Sequence, residues 1–221
     1  WSTPDLVGLT RLMLRNRAVL DRRSPLTGHL HAGLAALARR LRDNSITGSR
    51  RHIHRHYDLG NDFFRLFLDP SLLMYSSAYF ESAHDTLDQA QGHKVDRICR
   101  QLALTADDHV LEIGSGWGSC AIRLAEKQGC RVTPLTLSEE QHKLSNERAQ
   151  QRGISDRVQF LLKDYRHLDT KFDRIVSVGM FEHVGVGHFK EFFTKVNGLL
   201  KDDGVAVLHS INRSAGPDAT S

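Results

Sequence analysis

The sequence has 221 residues, of which 40% are hydrophobic and 25% are charged. This length accommodates one full α/β domain and a smaller helical part, whereas two large domains would be crowded. No apolar stretch of the sequence is close in length to the about 20 consecutive residues needed to cross a bilayer, and no secretory leader is recognised at its start. We therefore expect a soluble, cytoplasmic protein. Because the chain starts at Trp1 and residues 214–221 add no closing structural element, we also expect a fragment cut at both ends.

The net charge of +4 is unevenly distributed along the chain. Residues 1–56 carry a net charge of +8, and the remaining residues carry −4. A basic segment attached to an acidic body could dock on anionic lipid or on nucleic acid, or it could simply be solvated. Charge alone does not decide between these three interpretations.

Two amphipathic helices are predicted in a basic N-terminal region, residues 1–50. The first is predicted to start at the Thr3 cap, with Pro4 and Asp5 in its first turn. Leucines with helical spacing predict the second helix, and residues 44–51 are predicted to form a linker. The apolar positions of the two helices are Leu6, Leu9, Met13 and Leu20, then Leu30, Leu34, Leu37 and Leu41.

A second helical segment is predicted over residues 51–108. Asn61 can cap a short helix that contains Phe63, Phe64 and Phe67 and ends before Pro70, and the aromatic content predicts burial. His52, His54 and His56 alternate along the chain, but no carboxylate or thiolate ligand accompanies them, so we expect no metal site. The three cysteines are expected to be reduced thiols because the chain shows neither a metal-type pair nor a disulfide pattern.

The remainder, residues 109–221, alternates β-branched runs with helical patterns, which predicts a doubly wound, mainly parallel sheet. A last helix is predicted from Phe189, Phe192, Phe193, Val196 and Leu200 on one face, followed by a turn at residues 201–204. The five strands are predicted at residues 109–113, 131–136, 158–162, 174–178 and 205–209.

A glycine-rich turn at residues 112–118 joins the first strand to a helix, which permits close approach of a ligand to the backbone. The second strand carries no acidic residue that could hold the ribose of a dinucleotide, so NAD is disfavoured. The turn also lacks the ending of a P-loop, a lysine followed by serine or threonine, so binding of a nucleoside triphosphate lacks its basic anchor. Asp164, after the third strand, could accept a hydrogen bond from an adenine amino group or could be an ordinary turn residue.

Six blocks of sequence together resemble the cyclopropane fatty acid synthases, over roughly residues 52–212. The blocks are residues 56–64, 74–80, 112–118, 136–141, 164–166 and 177–185. The resemblance implies a Rossmann-like class I methyltransferase that binds S-adenosylmethionine. It also implies transfer of a methylene or methyl group to the cis double bond of an unsaturated phospholipid or mycolic acyl chain.

The resemblance also assigns residues to the two ligands of that chemistry. The residues implied for S-adenosylmethionine are Tyr75, Ser76, Glu112, Gly114, Ser115, Gly116, Trp117, Gly118, Thr136, Leu137, Gln141, Asp164 and Tyr165. The family is thought to use a bound bicarbonate ion as the base that removes a proton from a carbocation. Ser77, Val178, Glu182 and His209 match its binding positions, with Ser77, Glu182 and His209 as the catalytic set.

Sheet topology independently favours a shared site for Glu182 and His209. The two residues stand at the ends of neighbouring strands, and open α/β sheets bind ligands at the carboxyl ends of their strands. Taken singly, Glu182 could form a loop salt bridge and His209 could be a satisfied strand-end histidine. His183 is expected only to support its neighbours. Ser77 replaces the cysteine of the best-known members, which leaves a ring or a methyl branch open as product. The family also places a C-terminal tyrosine against the bicarbonate, and the sequence ends before any such residue. A fragment that binds the cofactor could therefore be inactive, and the sequence leaves its activity open.

Other functions remain open at this point. Some plant alkaloid N-methyltransferases share the patterns at residues 56–64 and 75–80, so a small amine is an alternative acceptor. A catalytically silent protein that binds a lipid surface or a nucleic acid is a second alternative. We favour an enzyme peripherally associated with the membrane, acting on phospholipid and not on nucleic acid. The sequence leaves its oligomeric state open, a dimer included.

Overall fold

The computed structural model describes residues 4–16 and 60–212, and helices and strands are numbered within these ranges. Helix α1 is Leu6–Arg15, in a different compact unit from residues 60–212. Its N-cap is Asp5, whose side chain accepts a hydrogen bond from the Gly8 N–H, so the prediction of Thr3 as cap was wrong. The carboxylate of Asp5 satisfies a first-turn N–H that has no partner within the helix. The second predicted helix, the linker and His52, His54 and His56 lie outside the described residues.

Two helices precede the sheet. Helix α2 is Gly60–Arg65 and helix α3 is Leu87–Leu102. Thr86 and Gln89 form a reciprocal capping box at the start of α3, which satisfies first-turn donors. Asn61 lies inside α2 and does not cap it, because the helix already begins at Gly60. Of the aromatic residues predicted to be buried there, only Phe64 is; Phe63 and Phe67 are about half exposed.

Five parallel strands form the sheet of the described residues. Strands β1 to β5 are His109–Ile113, Arg131–Thr136, Leu161–Leu162, Phe172–Val178 and Leu200–His209. Their order in the sheet is β3-β2-β1-β4-β5. Helix α4, Ser119–Gln128, follows β1; helix α5, Glu139–Gln151, follows β2; and helix α6, Phe189–Leu199, precedes β5. The doubly wound, mainly parallel fold predicted from the sequence is therefore confirmed.

Successive residues of β1 contribute to two separate hydrophobic cores, as expected of a strand buried on both faces. Val110 belongs to a cluster with apolar residues of α3 and α4, whereas Leu111 belongs to a cluster with apolar residues of α6. Helices therefore cover both faces of the sheet. In the part of the chain that the structure describes, no helix is both long and apolar enough to cross a membrane.

Strands β3 and β5 and the exposure of Phe193 differ from the sequence prediction. Strand β3 is only two residues long, and Val158 forms a separate bridge to Val132. Residues 201–204 belong to β5 and do not form a turn, since the strand begins at Leu200 and pairs with Phe172 before a register shift. Phe193 is 52% exposed although it shares helical spacing with buried neighbours. In each case strand pairing or packing overrides the local pattern.

Substitution of Gly118 by alanine is expected to destabilise the fold by about 2–4 kcal/mol, through left-handed strain and overpacking. Gly118 has φ of +83°, and a Cβ there would lie 2.6 Å from the buried Phe160 ring. The matched control is Gly153→Ala, where φ is +66° but no atom lies within 4 Å of the added Cβ, so only about 1 kcal/mol should be lost. Urea unfolding of both variants measures the difference; equal losses would contradict the packing argument.

Candidate functional site

The glycine-rich turn lies at the carboxyl end of β1 and continues into α4. The backbone N–H groups of Gly114 and Ser115 both donate to the carbonyl of Leu135, at 3.1 and 2.8 Å, which fixes the turn against β2. Gly116 has φ of +53°, and a Cβ there would meet no atom within 4 Å. The turn therefore presents bare backbone to open space, as a ligand that approaches a helix N-terminus requires.

Three residues that the sequence assigns to the site contain buried polar atoms without a hydrogen-bond partner among the described residues. They are the Ser115 hydroxyl, the Gln141 amide nitrogen and Nδ1 of His209. Gln141 is oriented by Thr136, whose hydroxyl donates to Oε1 of Gln141 at 2.9 Å. Buried polar groups are nearly always paired, so these atoms fit a polar ligand at the carboxyl edge of the sheet.

Glu112 lies fully buried in β1, immediately before the turn. Its carboxyl group accepts a hydrogen bond from the Ala121 N–H at 3.2 Å, in the first turn of α4. Burial raises the pKa of Glu112 to about 8, because the charged form loses its hydration. Its observed contact is thus with the helix that supports the turn, and at neutral pH the carboxyl group is mostly protonated.

Asp164 and Tyr165 follow β3 in a short 3₁₀ turn, Tyr165–His167. Both oxygens of Asp164 accept hydrogen bonds from Arg166, at 2.7 to 3.0 Å. Burial alone would raise the pKa of Asp164, but these bonds lower it below its ordinary value. Burial raises the pKa of Tyr165 to about 12, and its ring packs edge-on against Phe192. Leu137, after β2, is partly buried.

An aromatic cluster packs against the turn. Trp117 is buried, with its ring centroid 5.0 Å from that of Phe64, and Phe64 also contacts the ring of Tyr75 at 5.4 Å. The Trp117 indole N–H donates to Oδ1 of Asn61 at 2.7 Å. Helix α2 is thereby attached to the turn both through its rings and through Asn61, a role for Asn61 that the sequence did not predict.

Residues 69–77, here termed the strap, connect α2 with the site and are fastened largely by polar groups. Asp69, 1% exposed, accepts hydrogen bonds from the Leu72 and Met74 N–H groups at 2.7 and 3.0 Å. The guanidinium of Arg148 donates to the carbonyls of Ser71 and Trp117, so it joins the strap to the turn. The hydroxyl of Ser119 donates to the Leu72 carbonyl.

Helix α3 holds the end of the strap through two polar side chains three residues apart, which share one helix face. Gln91 donates to the carbonyls of Met74 and Ser76, and the Lys94 ammonium lies 2.6 Å from the Ser76 hydroxyl. Sequence reasoning missed these residues and Arg148. The available signal was weak, because a polar residue in a helix pattern normally predicts an exposed position.

Ser77, Val178, Glu182 and His209 meet at the carboxyl ends of β4 and β5. Val178 pairs with His209 across the two strands. The hydroxyl of Ser77 lies 3.4 Å from Nε2 of His209, although the two residues are 132 positions apart. Glu182, in the 3₁₀ turn Phe181–His183, accepts a hydrogen bond from the Ile211 N–H at 2.6 Å, just beyond β5. The fold thus places Ser77 beside His209, and the exposed Glu182 is hydrogen-bonded to the chain two residues after His209.

Comparison with known proteins decides the family. The model of the mycolic acid cyclopropane synthetase family matches residues 44–220. The chain belongs to this family. It is 46% identical over 156 residues to the cyclopropane-fatty-acyl-phospholipid synthase of Escherichia coli K12, a match that covers 71% of this chain and 39% of the relative.

Solved structures agree on the fold. The mycolic acid cyclopropane synthase CmaA1 complexed with SAH and CTAB is 39% identical with a TM-score of 0.69, and the match covers 72% of this chain and 55% of that one. Coclaurine N-methyltransferase bound to N-methylheliamine and SAH matches 91% of this chain and 57% of that one, with a TM-score of 0.69. At 24% identity, this second likeness shows the fold alone. The chain described here therefore has the class I methyltransferase fold. It spans 55% of the CmaA1 structure and 39% of the E. coli relative.

No cluster of three or more His, Cys, Asp or Glu side chains suited to a metal ion occurs within residues 4–16 and 60–212. Cys99, Cys120 and Cys130 are free, buried thiols. Burial raises the pKa of the Cys130 thiol to about 11, which favours its unreactive protonated form. The cysteines of this family member therefore contribute to packing.

Substitution of Glu112 by glutamine is expected to change the pH dependence of stability. The folded-state pKa of Glu112 is raised to about 8, so its contribution is full below about pH 4.5 and is lost as pH rises through about 8. Glu112→Gln should remove this decline between about pH 5 and 8. Urea unfolding at several pH values measures it, with Glu140→Gln at an exposed position of α5 as control. An unchanged profile in Glu112→Gln would refute a buried, protonated Glu112.

Proposed function

We propose that this chain forms the catalytic core of an enzyme that alkylates the cis double bond of an unsaturated phospholipid acyl chain, with S-adenosylmethionine as donor. Membership of the cyclopropane synthetase family supports the reaction class. The relative from E. coli, named for a fatty-acyl-phospholipid product, supports a phospholipid over a mycolic acid. The observation that carries the proposal is the contact of Ser77 with His209 at the end of β5, with Glu182 hydrogen-bonded to the chain just beyond that strand.

Three features of the site fit S-adenosylmethionine. The turn around Gly116 exposes its backbone to open space in which a ligand can lie. It contains no lysine that would bind a phosphate, and S-adenosylmethionine has no phosphate group. The unpaired polar atoms of Ser115 and Gln141 could bind its polar groups. Tyr75 and Ser76 approach from the strap, while Thr136, Leu137, Asp164 and Tyr165 approach from the ends of β2 and β3. These positions surround one edge of the sheet, where open α/β folds bind ligands.

The donor set at the ends of β4 and β5 fits a bicarbonate ion. Nδ1 of His209 lacks a partner among the described residues, and Ser77 and His209 can each donate a hydrogen bond to an oxyanion. Glu182 can accept a hydrogen bond from the acidic O–H of such an ion. The carboxylate also holds the Ile211 N–H, so it fixes the chain beyond β5. We propose that Ser77, Val178, Glu182 and His209 form this base site.

An alkene is an uncharged and weak nucleophile, so the site must align it with the donor and exclude water. When bound, S-adenosylmethionine supplies an electrophilic methyl group, and bicarbonate supplies a base. The methyl–sulfur bond would break as an alkene carbon attacks the methyl group, so that S-adenosylhomocysteine would leave and a cation would remain on the other alkene carbon. Transfer of a proton from the new methyl group to the base, with ring closure, would add one methylene. Proton loss elsewhere gives a branch. The aromatic cluster of Phe64, Tyr75 and Trp117 shields the turn side of this site.

We further propose peripheral association with the membrane surface, since the substrate resides there. The +8 charge of residues 1–56 supports attraction to anionic headgroups. Nucleic-acid binding would instead predict steep weakening with salt on any DNA or RNA. Sedimentation with anionic and with neutral vesicles tests this: the protein should prefer anionic vesicles, and equal binding to both would contradict the electrostatic contribution.

Substitution of Glu182 by glutamine should lower turnover by about 100-fold or more while changing cofactor affinity little, because its proposed task is to hold the base. Turnover on unsaturated phospholipid and calorimetric binding of S-adenosylhomocysteine measure the two effects. The control is Glu191→Gln, an exposed glutamate of α6 that contacts His188. Loss of cofactor binding in Glu182→Gln would make Glu182 a cofactor ligand and overturn its assignment to the base site.

The acceptor itself is tested by expressing the complete coding gene in a host that lacks its own synthase. Mass spectrometry of total membrane fatty acids should show a species heavier by one methylene, and chemical degradation should show a ring or a branch. A small-amine acceptor is the alternative outcome. Methylation of amines by the folded, cofactor-bound protein, with fatty acids unchanged, would overturn the lipid proposal.

A further inference from the structure

Lys94 is a charged side chain buried beneath the strap, with 3% of its surface exposed. Its ammonium lies 2.6 Å from the hydroxyl of Ser76. Desolvation lowers its pKa to about 8, and the carboxylate of Asp69 opposes that shift. Burial of an ammonium group costs several kcal/mol unless its surroundings compensate. A neutral residue would avoid that cost, so the contact with Ser76 needs an explanation beyond stability.

The contacts of Gln91 and Lys94 are complementary. Gln91 holds the backbone of the strap through the carbonyls of Met74 and Ser76, at 3.2 and 2.9 Å. Lys94 holds the side chain of Ser76. Backbone and side chain of the same residue are thus both fixed by α3, which restricts rotation of the strap at this point.

Exposure alternates along the end of the strap. Met74 and Ser76 are partly buried toward α3, whereas Tyr75 and Ser77 are exposed. The Cβ of Ser76 lies 3.4 Å from the position that a Cβ on Gly179 would occupy, so Ser76 lies against the carboxyl end of β4. Ser77, the next residue, contacts His209 at the end of β5. The orientation of Ser76 therefore determines where both of its neighbours point.

We propose that Lys94 is a positioning residue: its buried ammonium holds the Ser76 hydroxyl and so aligns Tyr75 and Ser76 for the cofactor and Ser77 for His209. The inference rests on the proposed binding of S-adenosylmethionine at this edge of the sheet. It does not depend on which acceptor is alkylated. Lys94 itself need not touch the cofactor or the reacting atoms.

Lys94→Met retains the length of the side chain and removes the ammonium. In the complete protein, this variant should bind S-adenosylhomocysteine about tenfold or more weakly, because small misalignments of a binding segment carry such penalties. The KM for S-adenosylmethionine should rise similarly, while the KM for phospholipid should change less than about twofold. The control is Lys127→Met, which removes an exposed ammonium of α4 that is paired with Asp96 of α3. It should leave both constants unchanged.

A double-mutant cycle separates positioning from a general structural role. Ser76→Ala should weaken cofactor binding by a similar factor, and Lys94→Met combined with Ser76→Ala should be no worse than either single change. Additive losses, or wild-type affinity in Lys94→Met, would overturn the inference. If Lys94→Met does not fold, wild-type affinity in Ser76→Ala would overturn it equally. Failure of the wild-type protein to bind S-adenosylhomocysteine would instead refute the proposed function and the inference together.

Discussion

Parallel pairing of β1 with β2 on one side and with β4 on the other fixes where the candidate site residues at the strand ends lie. All five strands of the described sheet run in the same direction, so their carboxyl ends share one edge. The glycine turn follows β1, Gln141 lies beyond β2, and His209 ends β5. Residues far apart in the chain thus meet because the sheet reverses its strand order at β1. The rest of the site is arranged around this edge.

Hydrogen bonds of polar groups hold the strap, the segment that leads from α2 to this edge of the sheet. Asp69 bonds within the strap, and Gln91, Lys94 and Arg148 bond to it from outside; each of these residues is at least partly buried. Burial lowers the pKa of Arg148 to about 10, which shows how far this guanidinium is withdrawn from water. Hydrogen bonds are directional, so they define the rotation of a segment as well as its position. Apolar contacts alone would leave that rotation less defined.

Membership of the cyclopropane synthetase family and the local geometry carry different parts of the functional conclusion. Family membership supports the proposed reaction class, and the match covers 39% of the E. coli relative. The geometry specifies which groups lie together, including the Ser77 hydroxyl beside His209. A serine hydroxyl donates a stronger hydrogen bond than a thiol, so Ser77 affects the strength of the proposed base site. The division of residues 1–50, 51–108 and 109–221 into separate parts stays a prediction.

The sequence by itself determined the strand order, the glycine turn and the choice of candidate site residues. Apolar runs bounded by turns specify β1, β2 and β4 locally, and short motifs carry the resemblance to the family. Tertiary structure decided the rest. Strand pairing extended β5 through residues 201–204, which resemble a turn in isolation, and packing left Phe193 exposed. The roles of Gln91, Lys94 and Arg148 arise from contacts 15 to 77 positions along the chain. No local pattern encodes such contacts, because a polar residue in a helix has the same sequence signal whether it faces water or a buried partner.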